Sequence, residues 1–111
     1  MTTLDLAVFE ELKDLMDGDM SDILEMYEVD SAEQIDGLKT SISGDDLTST
    51  IAIAHTLKSS SANLGAMDLA KLCKKMEHDG RENTLSNPAE LLEKIIAELA
   101  RVQTELTTNN S

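Results

Sequence analysis

Residues 87–99 read Asn87-Pro88-Ala89-Glu90-Leu91-Leu92-Glu93-Lys94-Ile95-Ile96-Ala97-Glu98-Leu99. An Asn ahead of a Pro, with a Glu three residues after it, is a helix start signal. The Asn oxygen accepts an otherwise orphaned amide, Pro lacks the N–H that the first turn cannot use, and Glu favours the positive end of the helix. From there Leu91, Leu92, Ile95, Ile96, Leu99, Val102 and Leu106 recur at three- and four-residue spacing. The pattern predicts a long amphipathic helix with these residues as its buried face.

Working outward, the same period appears four more times, and nothing reads as a strand. A short first segment, residues 4–16, carries Leu4, Val8, Leu12 and Leu15, and Asp17-Gly18-Asp19 closes it. The second, residues 21–42, begins at Ser21 as N-cap, carries Leu24, Tyr27, Ile35, Leu38 and Ile42, and ends at Gly44 as a left-handed cap. A third starts at Asp45 or Asp46 and runs through Leu47, Ile51, Ala54, Leu57, Ser61 and Leu64, with Gly65 as its C-terminal cap. The fourth, residues 67–79, has Leu69, Leu72, Cys73 and Met76 on one stripe and is stopped by Gly80. The polar tail, residues 107–111, is expected to fray. Short connections leave each helix no room except beside its predecessor, so the expectation is all-α: an antiparallel four-helix bundle with an additional short N-terminal helix, in a single domain spanning residues 1–111.

Composition narrows the function. Nine Lys and Arg stand against 22 Asp and Glu, a formal net charge of −13. Such a field repels the phosphates of nucleic acid and anionic membrane surfaces, whose binding depends on basic side chains. Phe9 and Tyr27 are the only aromatic residues, too few for base stacking or an aromatic cage. A single cysteine, Cys73, excludes an internal disulfide and a multi-thiolate zinc site. There is no basic segment followed by an apolar run at the start, and no stretch approaches the roughly 20 apolar residues of a membrane span. The expected location is the cytoplasm, and Met1 and the polar carboxyl end point to a free-standing protein.

With two histidines, any imidazole chemistry concerns His55 or His78. At roughly 100° per residue, His55 falls beside the apolar arc of the third helix, and Lys58, Ser59 and Ala62 follow on its own stripe. A cation and two small side chains leave an imidazole nitrogen accessible, with positive charge where an attached anion would sit. Two readings stand here: a surface or half-buried spacer, or a reactive group. His78 lies with Lys71, Lys74 and Lys75 opposite the apolar stripe of the fourth helix and reads as an exposed residue near a helix end.

The charges are uneven. Between His55 and Arg81 five basic residues (Lys58, Lys71, Lys74, Lys75, Arg81) face three acidic ones (Asp68, Glu77, Asp79), a balance of +2, whereas the rest of the chain carries −15. This basic window, with Ala62, Lys71, Lys74 and Lys75 in it, is a candidate docking face for an acidic partner, or merely a solvated surface. Cys73 points into the core, where a thiol acts as a small hydrophobe. Neither histidine follows an acidic residue by three, as those of bundle metal sites usually do, and no glycine-rich loop supports ATP or GTP binding.

The run Ile53-Ala54-His55-Thr56-Leu57-Lys58-Ser59-Ser60-Ser61-Ala62-Asn63-Leu64-Gly65-Ala66, continuing through Leu69, Leu72, Cys73, Met76 and Glu77 to Gly80-Arg81, resembles the signature of histidine-containing phosphotransfer (HPt) domains. Their motif has the form A-H-x-L-K-G-S-S-x-x-L-G-A. The resemblance implies a four-helix bundle with an extra N-terminal helix and a role as phosphorelay intermediate without kinase activity of its own. His55 would accept a phosphoryl group from the aspartyl phosphate of a response-regulator receiver domain and pass it to another receiver. Lys58 would stabilise phosphoryl oxygens. Partners would be receiver domains and a hybrid sensor histidine kinase, met by a monomer. No metal or cofactor would be needed on this chain, because the magnesium belongs to the receiver. Ser59 stands where glycine is usual; its hydroxyl could bond the imidazole or the phosphoryl group, or it could serve only as a small residue. Two other classes compete: a helical interaction module that binds an acidic protein without chemistry, and a metal-binding bundle using His55, His78 and carboxylates.

Overall fold

Five helices form in the computed structural model: α1 Leu6–Met16, α2 Met20–Ser43, α3 Leu47–Asn63, α4 Met67–Arg81 and α5 Pro88–Asn109. The structure describes residues 4–16 and 18–109, so the expectations placed on Met1, Asp17, Asn110 and Ser111 lie outside the described residues. Local chemistry sets several starts. Asn87 Oδ1 accepts the Glu90 backbone amide, the cap expected for α5, and the Asn87 side-chain Nδ2 donates to Glu90 Oε2 at 2.8 Å. Asp46 caps α3 through the Ser49 amide, and Asp5 caps α1 through the amides of Ala7 and Val8. Ser21 is not a cap: Asp19 occupies that position in α2, without a side-chain hydrogen bond.

The helix ends correct two glycine readings. α2, α3 and α4 all close by the same 6→1 bond, Asp46 N to Ser41 O, Ala66 N to Ser61 O and Thr84 N to Asp79 O. Each needs one left-handed residue after the cap. Gly65 fills that place after α3, with φ +88°, but Asp45 and Asn83 fill the other two. Gly44 has an ordinary negative φ, and Gly80 lies inside α4, buried against α3. Sequence order alone suggested the nearest glycine; Asp and Asn tolerate the left-handed region well enough to take the position instead. The tail likewise departs from expectation, because α5 continues through Thr107 and Thr108 to Asn109, whose carbonyl accepts from Lys13 Nζ at 3.0 Å.

α2 packs on α3 and α5, and α4 on α3 and α5, so the four long helices run round the bundle in the order α2, α3, α4, α5. Leu38, Leu57, Leu69, Met76, Ile95 and Val102 are fully buried between them. Hydroxyl pairs join α2 to α3 inside this aliphatic core, Tyr27 to Ser61 at 2.8 Å and Ser41 to Thr50 at 2.7 Å. Burial pushes the Tyr27 hydroxyl up to about 12, only partly offset by the Ser61 bond. Some stripe residues sit outside the core: Leu15, Leu47 and Ile96 are exposed, whereas Phe9, off the expected stripe of α1, is its fully buried anchor. A short helix presents an arc that its neighbours, not its period, select.

Gly65 joins the end of α3 to the start of α1. Its carbonyl accepts the Asp5 amide at 2.7 Å, and a Cβ on it would stand 2.7 Å from the Asp5 carbonyl oxygen. Both the positive φ and that backbone contact forbid a side chain. Gly65→Ala is expected to lower the free energy of unfolding by about 1–3 kcal/mol, measured by urea denaturation; an unchanged midpoint would show that the contact is not needed.

Candidate functional site

The site is built on the packed faces of α3 and α4, beside a close contact between the two helices. Gly80 has no side chain there, and a Cβ would meet Ile51 Cγ1 at 2.7 Å. One turn along each helix from that contact stand His55 on α3 and Glu77 on α4. His55 Nδ1 and Glu77 Oε2 are 2.8 Å apart, Lys58 Nζ donates to Glu77 Oε1 at 2.6 Å, and Arg81 Nη2 donates to Glu77 Oε2 at 3.0 Å. One carboxylate thus gathers three donors from two helices.

Glu77 is nearly buried, its side chain 9% exposed, whereas that of His55 is 54% exposed. Burial works to raise the Glu77 carboxyl, but hydrogen bonds from Lys58, Arg81 and His55, together with the Lys58 charge, outweigh it and hold it down at about 2. An ionised carboxylate only accepts, so the hydrogen of the neutral imidazole must sit on Nδ1. Nε2 then keeps its lone pair, and it makes no hydrogen bond among the described residues. An oriented imidazole with a free, outward nitrogen and a lysine one turn away can act as a nucleophile toward an anion.

Ser59, exposed, lies one turn beyond His55. With Lys58, Ala62, Met67, Ala70, Lys71 and Lys74 it lines an open groove of about 490 Å³ between α3 and α4. Lys71 and Lys74 form no ion pair among the described residues. Lys75 is not brought to this groove. It pairs with Asp79 at 3.0 Å and faces a separate cleft toward α5. Cys73 is fully buried, and burial pushes its thiol up to about 12 despite the Lys58 charge, so it is inert. His78 is exposed near the end of α4, and no group of three or more His, Cys, Asp and Glu converges as a metal would require among the described residues.

Glu77 and Arg81 received no role from the sequence, although a signal was present. Glu77 follows Cys73 by four residues, on the apolar arc of α4. A carboxylate there must be met by donors from elsewhere.

A family model for the Hpt domain matches residues 22–105. This chain belongs to the Hpt domain family. Among solved structures the Hpt fold matches the crystal structure of histidine-containing phosphotransfer protein B (HptB) from Pseudomonas aeruginosa PAO1. The two are 28% identical with a TM-score of 0.92, over 96% of this chain and 93% of that one. No curated protein matches. The Hpt chain is a phosphorelay intermediate, and Hpt domains interact with the receiver domains of two-component systems. No helix among the described residues is long and apolar enough to cross a membrane.

Proposed function

We propose that His55 carries the phosphoryl group. Its Nε2 lone pair attacks the phosphorus of a receiver's aspartyl phosphate, the bond from phosphorus to the aspartyl oxygen breaks, and the carboxylate leaves with that electron pair. The ring gains positive charge as the new N–P bond forms, and the Glu77 carboxylate at Nδ1–H stabilises it. Lys58, one turn from His55, can turn from Glu77 toward the phosphoryl oxygens; Ser59 leaves room for the receiver and offers a hydroxyl. Transfer to a second receiver is the same step reversed. Phosphoryl transfer depends mainly on positioning and charge stabilisation, so these groups suffice on this side of the complex. Magnesium is expected in the acidic pocket of the receiver, and no metal or cofactor on this chain. Receiver domains, including that of a hybrid sensor histidine kinase, are the partners of a cytoplasmic monomer.

The observation that carries this reading is the 2.8 Å contact of His55 Nδ1 with an ionised Glu77, which leaves Nε2 as the nucleophile. Incubation with a phosphorylated receiver should give an acid-labile, base-stable phosphoryl group, assigned to Nε2 by ¹⁵N and ³¹P NMR. Phosphate on Nδ1, or none transferred, would overturn it. ATP alone should label nothing.

The groove beside His55 supplies the docking cations. Lys71→Glu with Lys74→Glu should slow transfer about tenfold at low salt, where screening is weakest, with helicity unchanged. Lys75→Glu should do much less, because Lys75 is paired with Asp79 away from the groove. Equal rates for all three proteins would remove the groove as the docking surface.

A further inference from the structure

Far from His55, α2 carries an unbalanced charge. Asp22, Glu25, Glu28, Asp30, Glu33 and Asp36 precede its first basic residue, Lys39. None of the six forms an ion pair among the described residues. Several stand three apart, Asp22 with Glu25, Glu25 with Glu28, and Glu33 with Asp36, so that like charges neighbour one another on the helix surface and repel. No ion pair among the described residues offsets that repulsion.

The acidic strip borders apolar surface. Met26 and Val29, one turn apart, are 63% and 54% exposed, and their neighbours four residues away are Asp22, Glu25, Asp30 and Glu33. Beside them an open cleft of about 260 Å³ lies between α2 and α5. Leu24, Tyr27 and Leu106 contribute apolar surface to it, with Glu25 and Glu28 exposed on one side and Gln103 on the other. A cleft of this size suits the aliphatic stem of a long basic side chain, which keeps its charged head among carboxylates. Because the helices run α2, α3, α4, α5 round the bundle, the α2–α5 edge lies opposite the α3–α4 edge that bears His55.

We propose that the α2–α5 cleft is a second docking surface, taking a basic amphipathic helix of another protein whose Arg or Lys enters the cleft while its apolar face covers Met26 and Val29. Charge complementarity selects this occupant. A second copy of the same chain would bring a net charge of −13 to an already acidic strip. Lying opposite His55, the surface can be filled while a receiver is engaged.

The test uses the intact protein and a synthetic amphipathic helical peptide, with arginines bordering its leucine face, at about 0.15 M salt to suppress long-range attraction. Calorimetry should give saturable one-to-one binding. Amide shifts in NMR should centre on Leu24, Glu28, Val29 and Gln103. Glu25→Lys with Glu28→Lys should weaken binding at least tenfold. The matched charge change Glu82→Lys with Glu93→Lys, at the other end of the bundle, should alter it less than twofold. Receiver-dependent phosphoryl transfer should proceed unchanged with peptide bound. Equal loss in both double variants would reduce the effect to net charge and overturn the proposal. So would competition of the peptide with the receiver, or self-association of the free protein abolished by Glu25→Lys with Glu28→Lys, which would assign the cleft to a second copy.

Discussion

His55→Gln is expected to take up no measurable phosphoryl group from a phosphorylated receiver domain, while its circular dichroism and unfolding midpoint should remain those of the wild type. The amide nitrogen of Gln has its lone pair delocalised into the carbonyl and does not attack phosphorus, so the loss is complete rather than graded. Folding is spared because the His55 side chain is more than half exposed; surface substitutions of this kind usually stay within about 0.5 kcal/mol. The Gln amide can still donate to Glu77, which keeps the neighbouring cations in place. Transfer at the wild-type rate would move the phosphoryl group to another residue. Receiver binding that persists with no transfer in the wild type itself would favour a purely interacting bundle.

The second large effect is expected at Glu77. Glu77→Ala removes the acceptor shared by His55, Lys58 and Arg81, so the imidazole can rotate and either nitrogen can carry the hydrogen. A misplacement of about 1 Å in a reacting group can cost about a hundredfold, and transfer should fall roughly ten- to a hundredfold with receiver affinity little changed. Glu77→Gln should recover part of that loss, because its amide oxygen can still accept from Nδ1–H. A merely structural Glu77 would instead lower both variants in proportion to their stability. Stability itself should drop by only about 1–2 kcal/mol, below the usual cost of orphaning a buried charge, since Lys58 and Arg81 are partly exposed and can rehydrate.

Acid should erase this contribution in a defined window. The Glu77 carboxyl is depressed in the folded protein, to about 2, from an ordinary unfolded value of about 4.3. A depressed carboxyl binds more protons when unfolded, so its stabilisation is fully present above the unfolded value and is lost as pH falls toward 2. The stability difference between wild type and Glu77→Gln, from urea unfolding, should be constant above about pH 5 and shrink steadily below it. A difference independent of pH down to acid would show that Glu77 is not held ionised by its three donors.

Much of the fold was legible in local pattern. The cap at Asn87 and Glu90, the period of α5 and the sparse punctuation between helices are short-range signals, and each helix formed where they placed it. Gly44 and Gly80 misled because a left-handed turn needs a permissive residue and not specifically glycine; Asp45 and Asn83 met the need. Leu15 and Phe9 could not be sorted by period, because the buried arc of α1 depends on what the bundle offers it.

The same division runs through the site. Sequence by itself determined an all-helical chain, a motif around His55 and Lys58, and a local reversal of charge in an acidic protein, since all three are read from the order of residues along the chain. Only tertiary structure decided what the charges do. Of the five cations in the basic window, Lys58 and Arg81 turn inward to Glu77, Lys75 turns to Asp79, and Lys71 and Lys74 are left along the open groove. The physical reason is the close approach of α3 and α4 at Gly80. That contact brings a buried carboxylate from one helix against the imidazole of the other, a pairing 22 residues apart in the chain that no helical period encodes.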